Sequence, residues 1–294
     1  MRPFRIVLLR PGRSPHAEAL REVAEALHYA LQRLGLSAGV AEAMPAAGEG
    51  AIVLGAHAAD PATLAALPAE AILYNFEQLT DDLFARAPHY RDALGTQPVW
   101  DYSAANATRY ADFGIAAPRA VVPVGYVPEW TRIAPAAKQD IDVLFYGSIN
   151  PRRLAILQEL REAGLAVAPH FGVYGPARDA LIARAKVVLN MHFYDAQILE
   201  MPRVGYLLAN RVPVVTEIGP ATRLEPHLAE AMRGVPRDDL VDACVELVHD
   251  EPARRALAER GYAAFSGRRL EETLARALGV DAAAAGPRYP TQAN

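Results

Sequence analysis

The chain has 294 residues, 52% hydrophobic and 22% charged, which fits two domains with cores of their own and excludes a disordered chain. A formal net charge of −4 provides no overall basic field, so nucleic acid is not an expected partner. One cysteine excludes an internal disulfide and a cysteine zinc cluster.

The apolar run in MRPFRIVLLR is too short for a signal peptide, and no run approaches the length of a membrane span. The expectation is a cytoplasmic protein without a transmembrane segment, peripheral membrane contact aside. Residues 6–9 read as a buried strand and 10–14 as a polar loop. A long helix follows from Pro15 to Leu34, with Leu20, Val23, Leu27, Leu31 and Leu34 on one face. Ser14 suits the N-cap, Pro15 the first helical position and Gly35 the end. Further strands are expected at 51–54, 72–74, 99–102 and 120–122, with helices between them, for example at 61–67 and 81–87. This alternation predicts a parallel sheet covered on both faces.

Residues 123–141 interrupt the alternation with Pro123, Pro128 and Pro135 and little periodicity, which marks a linker. The pattern restarts with strands at 142–146, 166–171, 187–190 and 212–216. Helices are expected at 151–164, 177–185, 199–210 and 221–232, then at 237–249, 252–263 and 268–278. Cys244 falls in an apolar helical pattern with Leu240, Val241, Leu247 and Val248 and reads as core. The predicted organisation is a domain over 1–130, a hinge over 131–141, a second domain over 142–280 and a tail over 281–294. The predicted fold class is α/β: two Rossmann-like, doubly wound parallel-sheet domains facing a cleft.

Several chemistries lack their motifs. There is no G-x-x-x-x-G-K-[ST], no G-x-G-x-x-G after a strand and no G-x-S-x-G elbow. The histidines show no paired metal-ligand spacing. Asp140-Ile141-Asp142 leads into a strand instead of ending one, so it does not read as a metal site.

The informative stretch runs from Tyr174 to Glu217. Its polar residues fall at strand ends, where open parallel sheets bind ligands. Just before it, Gly147 and Ser148 form a turn between a strand and a helix that opens with Arg152 and Arg153. Free N–H groups at that helix start, and the two arginines, suit a diphosphate. Tyr174 and Gly175 suit a turn over which a flat base stacks, the simple turn being the other reading. Asn190 and His192 end the next strand. Glu200 near a helix start is either a dipole-complementing carboxylate or the acceptor for two ribose hydroxyls, and Arg203 stands one turn on.

Together these residues resemble the C-terminal half of GT-B glycosyltransferases, particularly bacterial proteins of the glycosyltransferase group-1 type and their spore-protein-like relatives. The likeness is best over 142–265. It implies a nucleoside-diphosphate sugar as co-substrate, no metal and no other cofactor, with Gly147, Ser148, Arg152, Arg153, Tyr174, Gly175, Asn190, His192, Glu200 and Arg203 binding the donor. Large retaining families carry E-x7-E; Glu200 matches the second glutamate and the first is read at Phe193, leaving Glu217 as a partial substitute.

The resemblance also implies an acceptor in the N-terminal half: a glycan, a lipid-linked sugar or a small molecule. Its strand ends include Gly55-Ala56-His57, Tyr74 to Gln78 and Trp100 to Ser103. Inverting members are similar in placing a basic histidine early in the first helix with a carboxylate partner. Here these are His16 and Asp101, and Glu77 is the other candidate base. Tyr74, Phe76, Trp100 and Tyr102 offer a wall for a sugar ring or a lipid. Two alternatives stand beside the transferase: an inactive GT-B-like module that binds a nucleotide sugar or glycan, and a hinged small-ligand binder.

Overall fold

The computed structural model describes residues 3–10, 15–43, 48–192, 198–220 and 222–281. The chain divides into two units: residues up to Val127 together with those from Arg269 onward, and Pro128–Arg268.

In the first unit, β1 (Phe4–Leu8) leads through a 3-10 turn at Pro15–Leu20 into α1 (Arg21–Arg33). The chain continues through β2 (Ala38–Ala41), β3 (Gly50–Leu54), α2 (Pro61–Ala65) and β4 (Ile72–Asn75). It then forms α3 (Asp81–Arg86), α4 (Pro88–Thr96), β5 (Val99–Asp101), α5 (Ala104–Ala107) and β6 (Ala120–Val121). Its strands pair in parallel in the order β2-β1-β3-β4-β5-β6.

The second unit repeats the scheme with β7 (Ile141–Tyr146), α6 (Pro151–Glu162), β8 (Val167–His170), α7 (Gly175–Arg184) and β9 (Ala185–Asn190). It continues with α8 (Met201–Ala209), β10 (Val214–Glu217), β11 (Arg233–Val235), α9 (Leu240–His249) and α10 (Glu251–Ser266). The order β11-β10-β9-β7-β8 is again all parallel. In each sheet the chain reverses its lateral direction between the first and third strands of the unit. Open α/β sheets bind ligands beyond the strand ends at that point. It falls between β1 and β3 in the first unit and between β7 and β9 in the second.

The last helix, α11 (Leu270–Leu278), belongs to the first unit, where the sequence placed it with the second domain. Leu270 donates its N–H to the carbonyl of Tyr126 at 3.1 Å, and Leu270, Leu274 and Ala275 are buried. Residue 125 must be glycine there: a Cβ would lie 2.8 Å from the Leu270 Cα.

The expected hinge also behaves differently. Residues 131–141 count with the second unit and are bonded to it. Asn210 Oδ1 accepts the N–H groups of Arg132 and Ile133, each at 2.8 Å, and Thr131 donates to the Ala209 carbonyl at 2.9 Å. Trp130 beside them is fully buried.

Two further differences have local causes. Strands β2 and β11 were not expected, because Ala-Gly-Val-Ala and Arg-Gly-Val carry little β-forming side chain and sit at sheet edges. The expected helix at 221–232 does not form: among the described residues it holds one 3-10 turn, Pro226–Leu228, because proline supplies no N–H to an α-helical ladder. Cys244 is buried in the second core as expected, and burial pushes its thiol up to about 12. Among the described residues no helix is long and apolar enough to cross a membrane.

Candidate functional site

The end of β7 turns at Gly147, whose φ of 145° favours glycine. A Cβ at this position would also lie 3.0 Å from Arg203 Nη2. Asn150 then caps α6, its Oδ1 accepting the N–H of Arg153 at 2.9 Å, with Pro151 in the first turn. The turn therefore sets two arginines at a helix start, as the sequence suggested.

Their uses differ. Arg153 is buried and holds the backbone: Nη1 donates to the Ser148 carbonyl at 2.7 Å, Nε to the His192 carbonyl at 3.3 Å, and Nη2 to the Met191 carbonyl. Its guanidinium lies over the Phe145 ring, and burial, with Arg203 and Arg152 nearby, pulls its pKa down to about 10. It ties the turn after β7 to the turn after β9. Arg152 is more open and pairs bidentately with Glu217 at the end of β10, with Nη1 to Oε2 at 2.8 Å.

Strand β9 ends in Asn190, and Glu200 stands at the N-cap position just before α8. Asn190 Nδ2 donates to Glu200 Oε2 at 2.9 Å and to Thr216 Oγ1 at 3.1 Å, across the β9–β10 register that pairs Asn190 with Thr216. Asn190 Oδ1 accepts from Arg203 Nη1 at 3.0 Å, and Arg203 lies over the Tyr146 ring. Tyr174, at the start of α7, is half-buried; burial pushes its phenol up while Arg203 opposes the shift. Gly175 follows in the left-handed region, φ 55°.

His192 binds Glu200 as well, Nδ1 to Oε1 at 3.2 Å, and its peptide N–H reaches Glu217 Oε2 at 3.1 Å. The two side chains are eight residues apart. Counting seven intervening residues back from Glu200 therefore lands on His192 and corrects the register read at Phe193, which lies outside the described residues. Burial works against charge on all three groups, and pairing overrides it. The Glu200 carboxyl is held below its usual range chiefly by His192, and that of Glu217 by Arg152, while Glu200 raises His192. The result is one connected polar array from four segments: Arg152 and Arg153 on α6, Asn190 and His192 after β9, Glu200 and Arg203 on α8, and Glu217 on β10.

In the first unit the structure reassigns Asp101. It is fully buried, and both carboxylate oxygens are taken. Oδ2 accepts from Asn75 Nδ2 at 2.8 Å, Asn106 Nδ2 at 2.8 Å and Tyr110 Oη at 2.9 Å, and Oδ1 from the Ser103 N–H at 2.8 Å. Burial raises its pKa. The side chain of His16 lies outside the described residues. Asp101 anchors a loop instead: Asn75 and Asn106 each donate to the Glu77 carbonyl at 2.9 Å, and Asn75 Oδ1 accepts the Glu77 N–H at 2.9 Å. This frame presents Glu77, whose Oε1 is 3.3 Å from His57 Nδ1. Both side chains are about one-third exposed, at 33% and 36%. The sequence named Glu77 and read His57 only as part of a strand end; their pairing had no local signal, since it depends on β3 and β4 being neighbours. Nearby, Phe76 stacks on Tyr102 with centroids 5.5 Å apart.

Asp101→Ala is therefore expected to strand several buried donors and to cost the first unit roughly 2–4 kcal/mol, read as a lower urea midpoint at unchanged slope. An unchanged midpoint would show that the network is dispensable.

Compared with protein-family models, the chain matches none. Among curated proteins it is 32% identical over 158 residues to the uncharacterized protein L140 of Acanthamoeba polyphaga mimivirus, covering 50% of this chain and 48% of that one. It is 35% identical over 81 residues to protein L138 of the same virus, covering 27% of this chain and 9% of the relative. The chain thus spans about half or less of these relatives. They are viral, so the bacterial affiliation expected from the sequence finds no support in them. Among solved structures it is similar to Anabaena HepE in complex with UDP and glucose, at TM-score 0.62, 12% identity, 95% of this chain and 100% of that one. It is also similar to a mutant of T4 phage BGT in complex with UDP-glucose, at TM-score 0.58, 12% identity, 95% of this chain and 100% of that one. AviGT4, a glycosyltransferase involved in avilamycin A biosynthesis, gives TM-score 0.52 at 18% identity over 95% of this chain and 99% of that one. At these identities the likeness is one of fold: two parallel sheets of six and five strands with flanking helices, the GT-B architecture of glycosyltransferases.

Proposed function

We propose that the chain is a glycosyltransferase moving a sugar from a nucleoside-diphosphate sugar to a hydroxyl acceptor. The observation that carries the proposal is the array at the β7/β9 reversal, where a partly open carboxylate, Glu200, stands beside Arg203 and a helix start bearing Arg152. In this reading the ribose hydroxyls donate to Glu200, and Arg152, Arg203 and the N-terminus of α6 neutralise the diphosphate. Arg153 acts from beneath by fixing the turns, and Tyr174 and Gly175 border the base. Arginines and helix dipole, without metal or further cofactor, stabilise the leaving diphosphate. The first unit takes the acceptor. His57, oriented by Glu77, receives the acceptor proton there in place of the expected His16–Asp101 pair. The group-1-type affiliation, a glycan, lipid-linked or small-molecule acceptor, and a place without nucleic acid as substrate belong to the same proposal. The inactive module is motivated by an aromatic at the first glutamate position, and the register that places His192 there removes that motive.

The test is a thermal-shift panel of UDP, GDP, TDP, ADP and CMP, with and without Mg2+, on wild type and Glu200→Ala. A ligand that binds the native state raises the melting temperature by mass action. One diphosphate should stabilise wild type equally with and without Mg2+, and should lose its effect in the variant. No shift with any nucleotide would sink the donor assignment.

A further inference from the structure

We infer that His192 is a positioning residue that takes up a proton as the donor binds, coupling donor affinity to pH through Glu200. The inference rests on the donor reading above, and goes beyond it in saying what the buried imidazole does.

The argument starts from its two ring contacts. Nδ1 lies 3.2 Å from Glu200 Oε1, and an ionised carboxylate only accepts, so Nδ1 carries a proton in either charge state. Nε2 lies 3.3 Å from Thr222 Oγ1. That hydroxyl already accepts the N–H of Gly219 at 2.9 Å, which leaves it one lone pair and its own proton. A neutral imidazole accepts the Thr222 proton at Nε2, and an imidazolium donates to the Thr222 lone pair. A turn of one hydroxyl therefore satisfies the ring in both states, with no movement of the ring. A hydroxyl can both donate and accept, whereas a carbonyl or a carboxylate would fix one state.

The charges around the ring come from every side. Glu200 faces it from α8, and Glu217 from the end of β10 through the peptide N–H. Arg152, from α6, is paired to Glu217 and donates to the His192 carbonyl at 3.2 Å, and Arg153 donates to the same carbonyl at 3.3 Å. Arg203 reaches the array through Asn190. Burial opposes charge on the ring and Glu200 reverses the balance, so the pKa is raised. A diphosphate set against these arginines adds negative charge and favours the imidazolium further. Imidazolium in turn holds Glu200 in place while its oxygens receive the ribose hydroxyls. The sign follows: free protein, donor and one proton give the protonated complex, so affinity is full below the titration of His192 and falls as pH rises through it.

The probe is UDP-glucose, a diphosphate diester with no group of its own titrating near neutrality. Its binding is measured by calorimetry across the neutral and alkaline range, at each pH in HEPES and in Tris, which differ in ionisation heat. Wild type should take up about half a proton per UDP-glucose where uptake is greatest, and its affinity should fall about ten-fold across the alkaline limb. His192→Asn puts an amide nitrogen where Nδ1 sits but cannot titrate, so its heat should not depend on buffer and its affinity should be flat with pH. Independently, the imidazole of wild-type His192, followed by nitrogen NMR, should titrate higher with UDP-glucose than without. Heat from wild type that is the same in both buffers at every pH, or an NMR midpoint unmoved by UDP-glucose, would overturn the inference while leaving the donor site intact. No heat in any buffer would instead remove the donor reading, and this inference with it.

Discussion

His57→Ala is expected to lower turnover by roughly 100-fold or more while the affinity for UDP stays at the wild-type value, the range in which a positioned general base contributes. Nδ1 of His57 faces Glu77, and among the described residues nothing bonds Nε2, so the ring has one oriented side and one available side. In the proposed reaction the acceptor hydroxyl gives its proton to Nε2, its oxygen bonds to the anomeric carbon, and the carbon–oxygen bond to the diphosphate breaks with its electron pair. Glu77 orients the ring in this proposal, so Glu77→Gln should lose less, about ten-fold. Release of UDP from UDP-glucose, with water as the acceptor, reads the step without knowledge of the natural acceptor. Added imidazole should restore part of the rate to His57→Ala, which a purely structural loss would not allow. His16→Ala measured alongside decides between the two histidines. Wild-type rates in His57→Ala would leave the pair as a surface contact without a part in the reaction.

The second large effect is at Glu200. Glu200→Ala should raise the KM for the donor about 10- to 100-fold, the loss expected when hydrogen bonds to a charged acceptor disappear. Turnover at saturating donor should change much less, because the ribose is remote from the reacting bond. The carboxylate also bridges His192 and Asn190, so Glu200→Gln, which keeps the shape and one acceptor, should fall between the two. A donor KM that is the same in wild type and Glu200→Ala would remove Glu200 from the nucleotide site.

The sequence revealed most where its signal was local. Alternating apolar runs announced both parallel sheets, and the segment from Tyr174 to Glu217 carried Asn190, His192 and Glu200 within a few turns of one another. Weak edge strands such as β2 and β11 escaped because three or four residues leave no periodicity to count. The part played by Asp101 escaped for another reason. A carboxylate at a strand end looks alike whether it faces substrate or four internal donors, and only the positions of Asn75, Asn106 and Tyr110 tell the two apart. Arg152 and Arg153 were equivalent in sequence; the helix turned one toward Glu217 and the other under the β9 turn.

The return of α11 to the first unit bears on how this protein is made. The ribosome delivers residues 1–127 first, yet α1 lacks its last packing partner until residues 270–278 have left the exit tunnel. Domains commonly fold as units in the order of their synthesis. Here the earlier unit is completed last, after the whole of the later one has been translated. A premature stop near residue 268 would therefore injure the end of the molecule that had been translated longest, and residues 1–127 expressed alone would carry an apolar helix face with no cover.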